Sequence, residues 1–379
     1  MIYADYAATA GSRPDCVIQA VADAMKHPGN AGRGAHQNAL DAGRILLDAR
    51  MEIAEFFSVS DPSHVVFTSG ITESLNTIIK GILTLQDHAI TTWAEHNSVL
   101  RPLYEMQEQG MELTITKPDV ASIESAFQPN TRMVIMTHGS NVIGNVYDIA
   151  AVGKLCKERG VLFAVDTAQT AGSREISMSQ DNIDILCFTG HKSLMGPQGT
   201  GGICIGENMD IRPLKSGGTG MDSFSKKNPI HLPEHLEVGT LNIPGIAGLA
   251  AGIRHIREIG LDAIQKREEL LARQFYQGIR GIRHLSIYGM DNHETEVDFA
   301  MRTPIFALNI GDYSSAEVSD ELEQRFGILT RAGAHCAPLL HEHFHTREQG
   351  MVRFSFGYET TEEEVAACIE ALRILAEEE

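Results

Sequence analysis

Between Asp184 and Glu207 the only ionisable side chains other than cysteines are His191 and Lys192. They stand in Thr189-Gly190-His191-Lys192, at the start of a Gly/Pro-rich turn joining two apolar runs, Ile185 to Phe188 and Ile203 to Ile205. A lysine on a turn is ordinarily a solvated surface group. Here apolar strands on both sides would desolvate the ammonium, lower its pKa and favour the neutral amine that attacks a carbonyl. Asp166 ends the apolar run Val161 to Val165, where a carboxylate is costly unless it meets a cation. Arg353 is the lone charge in Met351 to Tyr358, and its planar fork suits a carboxylate bidentately, although a strand-end arginine can also face water. Cys336 follows Gly333-Ala334-His335 and lies near Arg331; cationic neighbours favour the reactive thiolate.

The segments around these residues alternate in period. Asp15 to Lys26 and Ala39 to Phe57 carry apolar residues at helical spacing, and between them a glycine-rich loop presents Arg33 and His36. Val65 to Thr68 is a β-rich run, Ser69-Gly70 turns the chain, and a helix follows from about Thr72 to Leu83. That arrangement is either a capped helix or a pocket for a phosphate at free amides. Strands and helices keep alternating through Ala89 to Thr92, a helix after Glu95-His96-Asn97, Arg132 to His138, the helix Ile149 to Arg159, Val161 to Asp166 and Ile183 to Phe188. Repeated βα units predict an α/β fold with a mainly parallel sheet covered on both faces. Ligands of such sheets sit beyond the carboxyl ends of the strands, which draws Thr72, His96, Asn141, Asp166, Gln169, Thr189, His191 and Lys192 to one edge.

An amine, a buried carboxylate and a phosphate pocket on neighbouring strands are three anchors of pyridoxal 5'-phosphate. The chain lacks G-x-G-x-x-G after its first strand, G-x-x-x-x-G-K-[ST] and G-x-S-x-G, which argues against dinucleotide, P-loop and hydrolase readings.

Length and charge bound the rest. The 379 residues, 43% hydrophobic and 21% charged, suit a soluble protein of two domains. A formal net charge of −19 opposes nucleic-acid binding. No signal-peptide pattern and no stretch long enough to span a membrane is present, so a cytoplasmic location is expected. The polar stretch from Ser216 to Glu237 is expected to be a loop near the site. From about residue 260 the texture changes to an α+β module: the helix Asp262 to Arg280, strands His284 to Tyr288, Thr303 to Asn309, Ile328 to Arg331 and Val352 to Phe356, and helices Ser315 to Phe326 and Thr361 to Glu378. Six cysteines without a C-x-x-C pair predict free thiols, with Cys156, Cys187, Cys204 and Cys368 as small core residues. His341, His343 and His345 alternate, but with no second cluster they read as solvated loop residues and no metal site is expected.

Seven segments then match one family in order along nearly the whole chain: Thr68-Ser69-Gly70-Ile71-Thr72-Glu73-Ser74, Glu95-His96-Asn97, Ser140-Asn141-Val142-Ile143-Gly144, Val165-Asp166-Thr167-Ala168-Gln169, Thr189-Gly190-His191-Lys192, Glu237-Val238-Gly239-Thr240-Leu241-Asn242, and Arg331-Ala332-Gly333-Ala334-His335-Cys336-Ala337. The chain resembles class V, fold-type I pyridoxal-phosphate enzymes, within the cysteine desulfurase and selenocysteine lyase branch. The resemblance implies a large cofactor-binding domain over residues 1–259, with a mainly parallel seven-stranded sheet between helices, and a smaller C-terminal α+β domain over 260–379 that carries the Cys336 loop. Residues 1 to about 15 could pack on the smaller domain.

It also implies roles. Lys192 would carry the cofactor as a Schiff base, His96 would stack on its ring, Asp166 would pair with the ring nitrogen and Gln169 would reach its phenolic oxygen. Thr72, Thr189 and His191 would hold the phosphate, with Thr240 reaching in from the second subunit of a homodimer, Ile71 would also contact the cofactor, and Asn141 would touch cofactor or substrate. Arg353 would clamp the substrate carboxylate; Arg33 and His36 match an Arg-Gly-x-His element at the substrate side. The reaction implied converts L-cysteine to L-alanine and leaves a persulfide on Cys336 for an acceptor protein. A selenocysteine lyase acting on L-selenocysteine, an aminotransferase for another amino acid, and a cofactor-binding scaffold or regulator are the alternatives.

Overall fold

The apolar runs that end at Asp166 and Phe188 leave no face for water, as strands covered on both sides require. In the computed structural model, which describes residues 1–27, 29–32, 34–290 and 297–379, they lie at the centre of a seven-stranded sheet. A short strand β1 (Ile2–Tyr3) and helices α1 (Asp15–Lys26) and α2 (Gln37–Phe57) come first. Then follow β2 (Val65–Thr68), α3 (Ile71–Ile82), β3 (His88–Thr92), α4 (Asn97–Glu108), β4 (Glu112–Thr116), α5 (Val120–Ser125), β5 (Thr131–Thr137), α6 (Ile149–Arg159), β6 (Leu162–Asp166), β7 (Ile185–Thr189) and β8 (Gly201–Ile205). The order across the sheet is β2-β8-β7-β6-β5-β3-β4, parallel from β7 to β4, with β8 antiparallel to both neighbours.

The alternation of side chains along β7 explains the two helical layers. Ile185 and Cys187 join a core with Leu75, Ile78 and Ile79 of α3, whereas Leu186 and Phe188 point to the opposite core, built on Ile53 and Phe57 of α2 and on Leu249. Cys187 and Cys204 are thus the small buried residues expected of them, as are Cys156 and Cys368.

Helices α7 (Ile243–Ile259) and α8 (Leu261–Ile279) are separated at Gly260, whose φ of 89° breaks the helix. Beyond them lie β9 (Leu285–Ile287), β10 (Ile305–Ile310), α9 (Ser315–Phe326), β11 (Ile328–Leu329), β12 (Arg331–Gly333), α10 (Pro338–His343), β13 (Met351–Ser355) and α11 (Glu362–Glu377). A four-stranded antiparallel sheet, β12-β13-β10-β9, closes over a core in which the Phe275 ring lies 5.0 Å from Phe306 and 5.2 Å from Phe354. Capping boxes start α9 at Ser314/Glu317 and α11 at Thr361/Glu364, which is why these polar sequences commit to helix there.

The structure departs from expectation in three places. Ile328 to Arg331 is split: β11 pairs in parallel with β1, and β12 joins the four-stranded sheet. The half-exposed edge strand β4 and the helix α10 carry patterns too short to stand out. His341 is not solvated; it is 2% exposed on α10, with its Nδ1 hydrogen-bonded to Thr346 Oγ1 at 2.9 Å, while exposed His343 stacks on Trp93 at 4.4 Å. No helix among the described residues is long and apolar enough to cross a membrane.

The segment between β8 and α7 has no regular structure, and its end is anchored by a buried ion pair. Arg50 of α2 grips Glu237 at 2.8 and 2.6 Å, and the Phe67 amide donates to the same carboxylate at 2.6 Å. Removing one partner strands the other charge out of water. Glu237→Ala is therefore expected to destabilise the fold by about 3–5 kcal/mol, read from the midpoint of urea unfolding.

Candidate active site

The carboxyl ends of β2, β3, β5, β6 and β7 open into one cavity of about 210 Å³. It is lined by Ile71 and Thr72 after β2, His96 after β3, Asn141 after β5, Asp166 and Gln169 at β6, and Thr189, His191 and Lys192 at β7. Sheet order alone brings these nine residues, drawn from 122 positions of sequence between Ile71 and Lys192, onto one edge.

Burial sets the charge of the cavity floor. It lowers the Lys192 pKa to about 8; Asp166 opposes the shift, and Arg353 and Arg331 add to it. Near neutrality Lys192 thus has an accessible free-amine form. Asp166 is raised by burial, partly offset by the Ala168 amide, which donates to Oδ1 at 2.8 Å, and by Lys192. His96 is driven down to about 4 by burial and then by Lys192, so its ring is neutral; its Nδ1 accepts the Ser98 amide at 3.0 Å, which fixes the ring plane at the start of α4.

At the other end, α3 begins on Gly70 with no side-chain cap, and Ile71 and Thr72, whose amides have no partner within the helix, line the cavity. Gly70 requires glycine for its φ of 149°, whereas Gly201 requires it for space, since a Cβ there would lie 2.7 Å from the Gly70 Cα and from the Phe188 carbonyl oxygen. Thr72 Oγ1 and Ser98 Oγ share a hydrogen bond at 2.8 Å. Helix amides, hydroxyls and His191 are groups that could hold a phosphate, and Asp166 could answer a ring cation.

The opposite wall comes from the second sheet. Arg353 of β13 is wholly buried; its Nη1 donates to Asn141 O at 3.0 Å and its Nη2 to Asp5 at 2.5 Å. Its Nε has no hydrogen-bond partner among the described residues. Arg331 is its register partner on β12 and also lines the cavity, with Nη2 4.0 Å from Cys336 Sγ. Cys336 is not itself among the lining residues and adjoins the cavity through Arg331. Its carbonyl accepts the Asn97 amide at 2.7 Å, and the preceding His335 carbonyl accepts Asn141 Nδ2 at 2.8 Å. His335 and Cys336 both adopt left-handed conformations, φ 53° and 57°, which side chains rarely take without being held there.

Sequence reasoning missed Asp5, Ser98 and the lining role of Arg331. The N-terminal segment threads between the two sheets: the Ala7 carbonyl accepts Gln169 Nε2 at 3.1 Å, and the His191 carbonyl accepts the Ala10 amide at 2.9 Å. Asp5 is the only charged side chain among the first twelve residues, a signal that could have matched it with the lone Arg353. Other expected residues stand apart. His36 is exposed and caps α2 by accepting the Ala39 amide; Arg33 lies outside the described residues. Thr240 is exposed in a separate crevice with Glu73 and Lys215 and does not reach Lys192 of its own chain; the loop expected near the site likewise contributes nothing to this lining.

Asn141→Ala should loosen the Cys336 loop. Losing one hydrogen bond worth about 1 kcal/mol is expected to raise the rate of Cys336 alkylation by iodoacetamide roughly fivefold, followed by peptide mass spectrometry to separate it from exposed Cys16.

The same arrangement of sheets is found in solved proteins. The apo cysteine desulfurase of Thermococcus onnurineus NA1 superposes with a TM-score of 0.92 at 29% identity, covering 100% of this chain and 95% of that one. The cysteine desulfurase CsdA of Escherichia coli gives 0.87 at 25% identity, over 99% of this chain and 94% of the other. In sequence, a probable cysteine desulfurase of Methanothermobacter thermautotrophicus is 31% identical over 388 residues, 99% of this chain and 94% of that protein. Cysteine desulfurase IscS of Enterobacter sp. (strain 638) is 32% identical, over 98% and 92%. The model of the family Aminotransferase class-V matches residues 2–368, and the chain belongs to that family.

Proposed function

We propose that this chain is a pyridoxal-phosphate-dependent cysteine desulfurase, which converts L-cysteine to L-alanine and passes the sulfur through Cys336 to an acceptor. The observation that carries the reading is one cavity holding Lys192 and Asp166 on its floor and Arg353 and Arg331 on its far wall, with Cys336 Sγ 4.0 Å from Arg331. The names of the related proteins support it.

The residues present fit the cofactor. Asp166 is a buried carboxyl in need of a cation, Lys192 an amine of lowered pKa, and the uncapped start of α3 an anion site. Ile71, Thr72, Thr189 and His191 would hold the phosphate, Asp166 and Gln169 the ring substituents, and neutral His96 the ring face. Bound there, pyridoxal phosphate supplies an aldehyde that captures an amine and a ring that accepts electron density from the substrate's α-carbon.

The chain's own groups do the rest. Arg353, which lines the cavity, orients the substrate carboxylate and is held in place by Asp5 and Asn141. Lys192 Nζ takes the α-proton and returns it to carbon. The Cys336 thiolate, beside the Arg331 cation, attacks the substrate sulfur; an S–S bond forms, the C–S bond breaks, and its electron pair goes to the β-carbon, which is protonated to give alanine. Cys336 is left as a persulfide. A second copy of the chain would bring its Thr240 to the phosphate, and an acceptor protein would collect the sulfur at the exposed side of the Cys336 loop. A division near Gly260 would place Lys192 on one domain and Cys336 with Arg353 on the other.

Wild-type protein with pyridoxal phosphate, L-cysteine and a reducing thiol should release alanine and sulfide in equal amounts. Cys336→Ala should bind the cofactor and release no sulfide from cysteine. Absence of alanine from cofactor-loaded wild type would overturn the reading, and alanine release from L-selenocysteine, undiminished in Cys336→Ala, would favour the selenocysteine lyase alternative. The rate of cofactor capture should also depend on pH. Only the neutral amine attacks an aldehyde, so the rate should rise about tenfold per pH unit towards the Lys192 pKa of about 8 and flatten above it, in stopped-flow absorbance.

A further inference from the structure

Glu95 lies in the turn between β3 and α4, directly before His96, and its side chain is wholly buried. Two donors converge on one of its oxygens: Thr92 Oγ1 at 2.6 Å and the Thr137 amide at 3.1 Å both reach Oε1. Among the described residues nothing hydrogen-bonds to Oε2. A carboxylate out of water needs donors on both oxygens, whereas a carboxylic acid has one accepting oxygen and one hydroxyl, the asymmetry found here. Thr137 is the register partner of Asp166, so Glu95 is tied to the strand end beside the cavity's carboxyl floor.

We propose that Glu95 is a positioning residue that keeps its proton on Oε2 at neutral pH and so leaves Asp166 the single carboxylate at the floor of the Lys192 cavity. The inference rests on the functional reading only for the identity of the cation that Asp166 answers. Of two neighbouring buried carboxyls, the one without a cation is the one that keeps its proton. Asp166 has the Ala168 amide and a cation, Lys192; Glu95 has two donors, both on Oε1, and no cation among the described residues, so its Oε2 is left with nothing to answer a charge.

The groups that act on Glu95 agree. Burial raises its pKa to about 8, against the two hydrogen bonds, and Asp166 pushes the same way as burial. From the segment before α6, the Tyr147 phenol faces it, raised by its own burial and then by Glu95, with Arg302 opposing; its hydroxyl has no hydrogen-bond partner among the described residues.

Glu95→Gln tests the proposal, because the amide reproduces the neutral acid, with oxygen in place of Oε1 and NH₂ in place of the hydroxyl. A native pKa of about 8 against an ordinary 4.5 means that the folded chain holds a proton that the unfolded chain releases between those values. Wild type must therefore lose stability relative to Glu95→Gln as pH rises through that window. The difference in Tm, variant minus wild type, is expected to grow more positive from about pH 5 to about pH 8 and to level off above, in holoenzyme and in cofactor-free protein alike. The variant should retain pyridoxal phosphate in the wild-type proportion. A difference that is flat or grows more negative with pH, or a variant that fails to hold the cofactor, would overturn the proposal. Should the variant not fold, infrared spectra of wild type labelled with ¹³C-glutamate decide: a protonated buried carboxyl band present at neutral pH and lost about two units above supports the assignment, and its absence at neutrality overturns it. A chain that takes up no pyridoxal phosphate refutes the functional reading, while the cofactor-free Tm series still decides on Glu95.

Discussion

A guanidinium removed entirely from water must be answered by charge and hydrogen bonds, and Arg353 is answered by two segments distant from its own strand. It is planted at the centre of the four-stranded sheet, its neutralising carboxylate comes from Asp5 in the N-terminal segment, and a carbonyl comes from Asn141 beyond β5. Breaking such a pair by removing one partner costs about 3–5 kcal/mol, so the contact holds the N-terminal segment, the second sheet and the large sheet's ligand edge in one arrangement. The rest of the cavity inherits its geometry from that contact. Asn141, fixed by Arg353 through its carbonyl, uses its side-chain amide to fix the His335 carbonyl, and the cysteine follows one residue later.

Charge in the cavity is distributed by burial more than by pairing. Lys192 is pushed towards its neutral form and His96 and His191 well into theirs, while Asp166 and Glu95 are both raised by the same loss of solvent. A site that disfavours charge in both signs favours a ligand bringing its own, such as a phosphate and a ring cation, over binding by a general field. The net charge of −19 is consistent with this: the positive groups are concentrated on the far wall, at Arg331 and Arg353, where a carboxylate and a thiolate would be stabilised locally despite repulsion from the protein as a whole.

The Cys336 loop depends on a different constraint. Two successive non-glycine residues in the left-handed region cost on the order of 1–3 kcal/mol each, and the loop keeps them because the Asn97 amide and Asn141 hold its carbonyls. His335 is buried there and held neutral, at about 3, first by burial and then by Arg353, so the histidine next to the cysteine acts through packing against His341 and not as a charge. The cationic neighbour of the sulfur is Arg331.

The amino-acid sequence by itself determined the alternation of strands and helices, the covered parallel sheet, and the edge on which Lys192, Asp166, His96 and Thr72 would meet. Those features follow from periodicity and from the rule that residues after parallel strands share an edge, both of which are local in the chain. Lone charges in apolar runs were equally legible, and Arg353 was found that way. Only the tertiary structure decided which group answers it, because Asp5 lies 348 positions away, and a lone charge in an apolar segment marks a residue in need of a partner without saying which partner. The same holds for Arg331, brought to the cavity by its register with Arg353, and for His341, buried by a helix too short to show a period. Protonation was likewise beyond the sequence: Glu95 reads as an ordinary acid beside His96 until burial and two hydrogen bonds on one oxygen distinguish it. Desolvation depends on everything that surrounds a group in space, and that surrounding exists only once the distant segments of the chain have packed together.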